Sequence, residues 1–366
     1  MNLKLLKALS EVSGVSSREE RVSELVKLEL AGLVDELRED AMGNLIALKR
    51  AKVTGMKAGM KAGMKAGMKA GTKSEKTVKR VMFAAHMDEI GFLVKHIDDH
   101  GFLRVQNLGG FDKRNLFARN VIVCANGGDL LGIMNPAGKP IHIAEKSDLE
   151  KIPLMREFTV DLGLPVEEVK RLVRIGDPVS LQQTLRLVGN YVVGKALDDR
   201  SGVYVLIEVL RALKSKPLEV DFFAVFTTQE EVGLRGATTS AFGVEPDIGV
   251  ALDTTLAVDT PGVSRDEAVT VTGQGVALTV MDSASIATRW LLDEFIACAE
   301  RNSIKYQLNI LPLGGTDGAA MQRSRAGVAT ISVSLPSRYV HTIQEAVHKD
   351  DLAAEIDLLT AWLLGK

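Results

Sequence analysis

Apolar residues recur every three or four positions in five stretches of the chain, and this spacing predicts amphipathic helices. The predicted helices cover residues 3–13, 17–37, 201–215, 285–303 and 353–365. Ser17 followed by Glu20 matches a capping box, which predicts that the second helix begins there. Shorter helices are predicted at 166–172 and from residue 238 onwards.

Continuous apolar runs with polar ends predict buried strands. They lie at residues 43–50, 78–88, 220–231, 247–255, 306–314 and 327–336. In the second half of the chain these strands alternate with the predicted helices, which is typical of a parallel sheet covered by helices. The sequence therefore predicts an α/β fold with a mostly parallel sheet and helices on both faces.

The pattern changes between residues 91 and 189. Short strand-like runs alternate there with Gly, Asn, Asp and Pro, and this spacing predicts a small all-β unit. We interpret residues 91–189 as a β-rich domain inserted into the α/β domain, which would comprise residues 1–90 and 190–366.

Four tandem copies of Met-Lys-Ala-Gly occupy residues 56–71, between the predicted strands 43–50 and 78–88. A glycine at every fourth position costs a helix about 1 kcal/mol each time, so a helix is disfavoured. We interpret residues 55–72 as a mobile loop within the α/β domain, expanding a hairpin between two paired strands. The alternative is a basic tether for an acidic partner.

The composition excludes several function classes. The chain has 366 residues, of which 46% are hydrophobic, and its formal net charge of -2 provides no basic field for nucleic acid. Its two cysteines match neither a zinc spacing nor a disulfide framework. The first 30 residues lack the features of a signal peptide, and no apolar run is long enough for a membrane span. We expect a cytoplasmic protein that binds neither membranes nor nucleic acid.

Acidic and imidazole side chains follow several of the predicted strands. They are His86, Asp88, Asp198, Asp199, Glu230, Glu231, Asp253 and His341. Taken singly, each has an ordinary explanation, such as a helix cap or a solvated turn. Open α/β sheets bind ligands at the carboxyl ends of their strands, where these residues would converge. Acids buried together would repel one another without a cation.

Two histidines with three or more carboxylates form a mixed nitrogen and oxygen ligand set. Zinc accepts both donor types, and cobalt or manganese are plausible rivals. The number of acids suggests two divalent ions per subunit, which is a common hydrolytic design.

The motifs AAHMDEIGF, KALDDRSG, TTQEEVGLRGA, ALDTT, GGTDG and SRYVHT resemble those of the tetrahedral (TET) aminopeptidases, peptidase family forty-two of the metallopeptidases. The resemblance covers nearly the whole chain, including the insertion, although the Met-Lys-Ala-Gly repeat is foreign to it. It implies a metal-dependent aminopeptidase that removes N-terminal residues from peptides. It also implies a homo-dodecamer built from dimers, with the β-rich insertion making the dimer contacts.

The resemblance also assigns roles to the site residues. His86 would hold one ion and His341 the other, and Asp198 would bridge the two, with Asp199 the weaker candidate. Glu231 and Asp253 would each bind one ion. Glu230 would act as general base on a water bridging the ions, and Asp88 would orient the His86 ring.

The sequence is also compatible with two other functions. Some members of the family carry endoglucanase labels, so Glu230 and Glu231 could be the acid–base pair of a glycoside hydrolase, although this leaves both histidines without a role. A non-catalytic assembly module recruiting an acidic partner is the other alternative. The segment Gly314, Gly315, Thr316 and Asp317 is either a wall of the substrate pocket or a helix cap with glycine hinges.

Overall fold

A computed structural model describes residues 1–52 and 78–366 of the protein. The Met-Lys-Ala-Gly repeat, and with it the predicted loop at 55–72, lies outside the described residues. None of the described helices is both long enough and apolar enough to cross a membrane.

The described residues form helices and strands in alternation. The helices are α1 (Leu3–Glu11), α2 (Glu20–Glu29), α3 (Lys146–Leu149), α4 (Val166–Leu172), α5 (Leu197–Ala212), α6 (Arg235–Val244), α7 (Arg289–Arg301), α8 (Asp317–Gln322) and α9 (Lys349–Leu364). The strands are β1 (Glu36–Glu39), β2 (Leu45–Lys49), β3 (Arg80–His86), β4 (Gly91–Ile97), β5 (Leu103–Leu108), β6 (Arg119–Ala125), β7 (Gly128–Pro136), β8 (Phe158–Asp161), β9 (Pro178–Leu181), β10 (Arg186–Val188), β11 (Tyr191–Gly194), β12 (Asp221–Thr227), β13 (Ile248–Leu256), β14 (Val276–Met281), β15 (Tyr306–Ile310), β16 (Ala329–Arg338) and β17 (Glu345–His348).

The large sheet has a parallel centre, which confirms the predicted α/β class. The order of its main path is β1-β2-β12-β3-β13-β16-β17-β11-β10, and β12, β3, β13 and β16 run parallel to one another. The strands that join this centre at its margins, β2, β17 and β14, pair with it antiparallel. The carboxyl ends of the four central strands therefore meet at one edge of the sheet.

Helices cover both faces of this sheet. Along β3, Val81, Phe83 and Ala85 pack into the core that contains the apolar side chains of α1, α5 and α9. Met82 and Ala84 point to the opposite face, towards side chains of α6 and α8. The alternation of side chains along a strand explains why β3 is apolar throughout: both of its faces are covered.

A second sheet, made of residues between 91 and 181, closes into a barrel. Its strand order is β4-β5-β8-β7-β6-β9, and every pair in it is antiparallel. Inward-facing side chains such as Phe92, Val121, Phe158 and Val179 form a core of its own. The barrel is the small β unit that the sequence predicts in this part of the chain.

Three local predictions are wrong. The second helix ends at Glu29 rather than near residue 37, because 36–39 form strand β1 beside β2. Ser17 does not cap this helix: it has a left-handed φ of 69°, and its N–H donates to Glu19. Strands β2 and β3 are also not a hairpin, since β12 lies between them and pairs with both.

Candidate metal centre

The predicted site residues come from the edge of the sheet where the central strands end. His86 ends β3, and Glu230 and Glu231 follow β12 within four residues. Asp253 lies in the last part of β13, and the other two residues lie nearby, Asp198 in the first turn of α5 and His341 in the loop after β16. Four separate segments and one helix start thus contribute to a single site.

The described side chains form two groups with the geometry of metal ligands. His86, Asp198 and Asp253 form one, and Asp198, Glu231 and His341 form the other; in each group the ligand atoms lie within 4.8 Å of one another. Asp198 belongs to both, with Oδ1 3.2 Å from His86 Nε2 and Oδ2 3.6 Å from His341 Nε2. All five predicted ligands are therefore brought together, and Asp199 is in neither group.

The backbone around His86 fixes which ring nitrogen faces the site. Its Nδ1 lies 3.0 Å from the carbonyl oxygen of Asp88, which can only accept a hydrogen bond, so Nδ1 carries the proton. Nε2 is then the ring nitrogen that faces Asp198 and, 4.0 Å away, Glu230 Oε2. This tautomer is the one that binds a metal ion through Nε2.

Asp88 makes its own contacts mainly with the loop after β12 that carries Glu230 and Glu231, called the glutamate loop below. Its carboxylate accepts hydrogen bonds from the backbone N–H of Glu230 at 3.0 Å, from the N–H of Glu231 at 3.2 Å, and from the Ser16 hydroxyl. Its Oδ1 also lies 3.4 Å from His86 Nδ1. Asp88 thus connects the imidazole to the backbone of both glutamates.

The carboxylates at the site outnumber the imidazoles of His86 and His341, which are the candidate ligands that can carry a compensating positive charge. Burial raises the pKa of Glu231 and of Asp253 well above the usual carboxyl range, and the charge of Asp198 raises both further. Glu231 Oε1 is buried and, among the described residues, has no hydrogen-bond partner. Unpaired buried acids are costly, and divalent cations would neutralise them. The donor set of oxygens and imidazole nitrogens therefore fits two such ions.

Three supporting residues could not be recognised from the sequence. Glu345 on β17 accepts a hydrogen bond from the N–H of Asp198 at 3.0 Å and from the N–H of His341 at 2.8 Å. Glu19 accepts from Ser17 N–H at 2.8 Å and from Gln229 N–H at 3.0 Å. Ser16 reaches Asp88. The segment before α2 and strand β17 therefore hold the loops that carry the candidate ligands.

Removing the Glu19 carboxyl should loosen the glutamate loop without touching a ligand. We expect Glu19→Ala to lower kcat about 10–100-fold, the usual effect of losing a residue that supports a ligand. Glu19→Gln is the matched control because its amide oxygen can still accept both N–H groups, and burial, with Asp88, already raises the pKa of Glu19 to about 7. Steady-state kinetics and bound metal are measured for both. Equal losses in the two variants would contradict a positioning role.

A cavity of about 470 Å³ opens beside the site. The candidate ligands Asp198, Glu231, Asp253 and His341 lie in its wall together with Glu230. Gly314, Gly315 and Thr316 line it too, while Thr316 also caps α8 by accepting a hydrogen bond from Gly318 N–H. The two interpretations of this segment, pocket wall and helix cap, are thus both compatible with its position.

Comparison with known proteins decides the family. The sequence pattern of the M42 glutamyl aminopeptidases matches residues 67–358. The chain belongs to this family. A putative aminopeptidase of Acetivibrio thermocellus is 36% identical to it, with 97% of this chain and 96% of the relative covered. The lysyl aminopeptidase of Pyrococcus furiosus is 31% identical over 98% of this chain and 96% of its own.

Solved structures agree with this M42 assignment. The TET1 peptidase of Pyrococcus horikoshii, described as able to assemble into a tetrahedron or a large octahedral shell, has a TM-score of 0.82. It is 30% identical, and the match covers 99% of this chain and 98% of that one. The M42 protein is accordingly a peptide hydrolase with the fold of the TET aminopeptidases, as the motifs in its sequence indicated.

Proposed function

We propose that this M42 protein is an aminopeptidase that hydrolyses N-terminal residues from peptides with the help of two divalent ions. The observation that carries the proposal is that Asp198 belongs to both ligand groups. One carboxylate with an oxygen directed to each of two ligand groups is the arrangement expected of a bridging ligand. A glycoside hydrolase would give His86 and His341 no role at this position.

The ligand groups suggest how the ions are shared. His86 and Asp253 would hold one ion, Glu231 and His341 the other, and Asp198 both. Zn²⁺ or Co²⁺ suits this donor set, and Mn²⁺ is possible. When bound, such ions lower the pKa of a water molecule and stabilise negative charge that develops on a carbonyl oxygen.

Glu230 is the residue that we assign as general base. It lies in the cavity wall but in neither ligand group, so its carboxylate is free to take a proton. Burial raises the pKa of Glu230 well above the usual range for a carboxyl group, although the charge of His86 lowers it. A carboxylate with a raised pKa is a stronger base, which favours proton transfer near neutral pH. Its Oε2 would accept a proton from the attacking water and pass it to the leaving amine.

The neighbouring residues would keep this base in place. Asp88 holds the N–H groups of Glu230 and Glu231 where the turn after β12 begins, and only Glu231 belongs to a ligand group. One glutamate can therefore serve as ligand while the other faces the water. Asp88 would act as a positioning residue for both His86 and the glutamate loop.

We extend the proposal to domains and assembly. Residues 1–90 and 190–366 would form the catalytic domain, and 91–189 a dimerisation domain within a homo-dodecamer built from dimers. The barrel region exposes large apolar side chains, among them Leu131, Ile133, Ile141 and Ile143, and such surfaces are typical of protein interfaces. The assembly described for the P. horikoshii relative supports the same proposal. Two free cysteines, Cys124 and Cys298, suit a cytoplasmic location.

Metal removal and restoration test the proposed function. We expect hydrolysis of amino-acid p-nitroanilides to fall at least about 100-fold after a strong chelator, because the ions supply the activated water. Zn²⁺ or Co²⁺ added back should restore the rate, with two ions bound per subunit by elemental analysis. Turnover that survives complete metal removal would defeat the proposal, and hydrolysis of soluble cellulose instead of anilides would favour the glycosidase alternative.

A further inference from the structure

On the basis of the proposed function, we infer that the enzyme prefers peptides whose first residue is apolar and uncharged, such as leucine or methionine. The inference rests on the wall of the cavity beside the candidate metal centre, which must receive the side chain of the residue that is removed. This specificity differs from that named for the family, glutamyl, and for the P. furiosus relative, lysyl.

The ionisable side chains in the described cavity wall all belong to the proposed catalytic site. Every ionisable residue that the described structure places there is a candidate ligand or Glu230. Apart from two glycines and four hydroxyl side chains, the rest of the wall is apolar: Leu234, Leu256, Ala284, Leu311, Leu313 and Val340. No lysine or arginine of the described residues lines it to receive an acidic side chain, and no additional carboxylate lines it to receive a basic one.

Two of the charged residues next to the wall, Asp282 and Arg338, are already paired. Asp282 is 2% exposed, and its carboxylate accepts hydrogen bonds from the N–H groups of Ala284 and Ser285. The guanidinium of Arg338 makes two hydrogen bonds to Asp259, at 2.6 and 2.8 Å. Neither side chain could turn to a substrate without leaving a partner unpaired, which is costly in a buried setting.

The hydroxyl groups in the wall are similarly engaged, and that of Thr254 hydrogen-bonds to Asp198. Ser283 Oγ donates to the carbonyl oxygen of Gly314, and Thr255 Oγ1 accepts from Asn309. Thr316 Oγ1 lies 2.7 Å from Ser332 Oγ and also accepts from the N–H of Gly318. A polar substrate side chain would therefore find few free hydrogen-bonding groups, whereas an apolar one needs none.

Two loops hold the apolar wall in shape. Ser283 N–H donates to the carbonyl oxygen of Gly314 at 3.1 Å, which ties the loop after β14 to the loop after β15. Gly314 has a φ of 105°, a conformation that favours glycine, and a Cβ at Gly315 would lie 3.1 Å from Ala284 Cβ. The close approach of these backbones fixes Leu311 and Ala284 relative to the metal ligands.

The cavity is also large enough for this role. Its volume of about 470 Å³ accommodates a leucine-sized side chain together with the adjoining peptide bond. An apolar side chain gains by leaving water for such a wall. A glutamate or lysine side chain would lose its hydration there without meeting an opposite charge, and so would be disfavoured.

A substrate panel tests the inference on the metal-loaded full chain. We expect kcat/KM for leucine and methionine p-nitroanilides to exceed that for the glutamate and lysine compounds by at least about 10-fold, since discrimination against an unpaired charge exceeds that against a missing methylene. A glutamate or lysine substrate that equals or surpasses leucine would overturn the inference while leaving the proposed function intact. If the loaded enzyme cleaved none of them, the proposed function itself would fail, and the inference with it.

A charge introduced into the wall tests whether these residues set the preference. Leu313 is 81% exposed, so Leu313→Lys should fold normally and place a cation at the cavity rim. We expect the ratio of glutamate to leucine turnover, in kcat/KM, to rise at least about fivefold through the new ion pair. Leu308→Lys is the matched control: Leu308 is 51% exposed on β15 and lies outside this cavity. An unchanged ratio in Leu313→Lys, or an equal rise in both variants, would contradict the assignment of the wall.

Discussion

Glu230→Gln is expected to abolish hydrolysis while leaving the metal content intact. The amide has nearly the same shape as the carboxylate but cannot take a proton, and general base catalysis contributes about 10²–10⁴-fold to rate. We therefore expect kcat to fall by about 10³-fold with little change in KM. Because Glu230 is in neither ligand group, both ions should remain bound. Steady-state kinetics and elemental analysis on the same preparation measure the two effects.

Glu231→Gln is the matched control for this experiment. It makes the same chemical change one residue along the chain, on a side chain that belongs to a ligand group. We expect this variant to lose metal as well as activity. If Glu230→Gln lost metal and Glu231→Gln kept it, the roles of the two glutamates would have to be exchanged. Near-normal activity in Glu230→Gln would exclude it as the base.

Asp198→Asn should empty both ion positions at once. Asparagine has one oxygen where the carboxylate has two, and it carries no charge, so it cannot serve both ligand groups. We expect less than one ion per subunit and a loss of activity of at least about 10³-fold, since neither the activated water nor the stabilised oxyanion would remain. Thermal unfolding of the variant, with and without added Zn²⁺, checks that the fold survives.

Asp253→Asn provides the graded comparison. Asp253 shares a ligand group with His86 but not with His341, so its loss should weaken one ion only. We expect about one ion per subunit in this variant, because the group of Asp198, Glu231 and His341 keeps all its ligands. If Asp198→Asn still bound two ions, the bridging role of Asp198 would be refuted.

The sequence predicted the parts of the fold that strong patterns specify. The apolar run of β3 and the helical spacing of α4 and α9 each indicate one type of element, and the structure has them there. The short strands β8, β14 and β17 were missed because four to six residues carry too little periodicity. The position of β12 between β2 and β3 depends on pairing between distant segments, which no local pattern records.

The candidate ligands were accessible from the sequence because they stand at the ends of apolar runs. The residues that support these ligands could not be recognised in the same way. Glu345 lies in the ordinary-looking stretch QEAVH, and Glu19 lies in a charged segment that suggests only an exposed helix start. Both act through backbone N–H groups of residues far away in the chain, and a side chain that binds backbone leaves no motif. The apolar residues of the cavity wall could not be recognised from the sequence either, since leucines in a loop form no distinguishing pattern.

The dual contact of Glu345 has a consequence for how the enzyme comes into being. This residue follows every proposed ligand in the sequence, yet its two oxygens hold the amides of Asp198 and His341. A nascent chain that has already emerged as far as the last ligand therefore lacks the clamp that aligns the two halves of the centre. The amides of Asp198 and His341 gain this shared acceptor only when β17 has paired between β11 and β16, so the proposed centre is completed by one of the last strands of the chain to form.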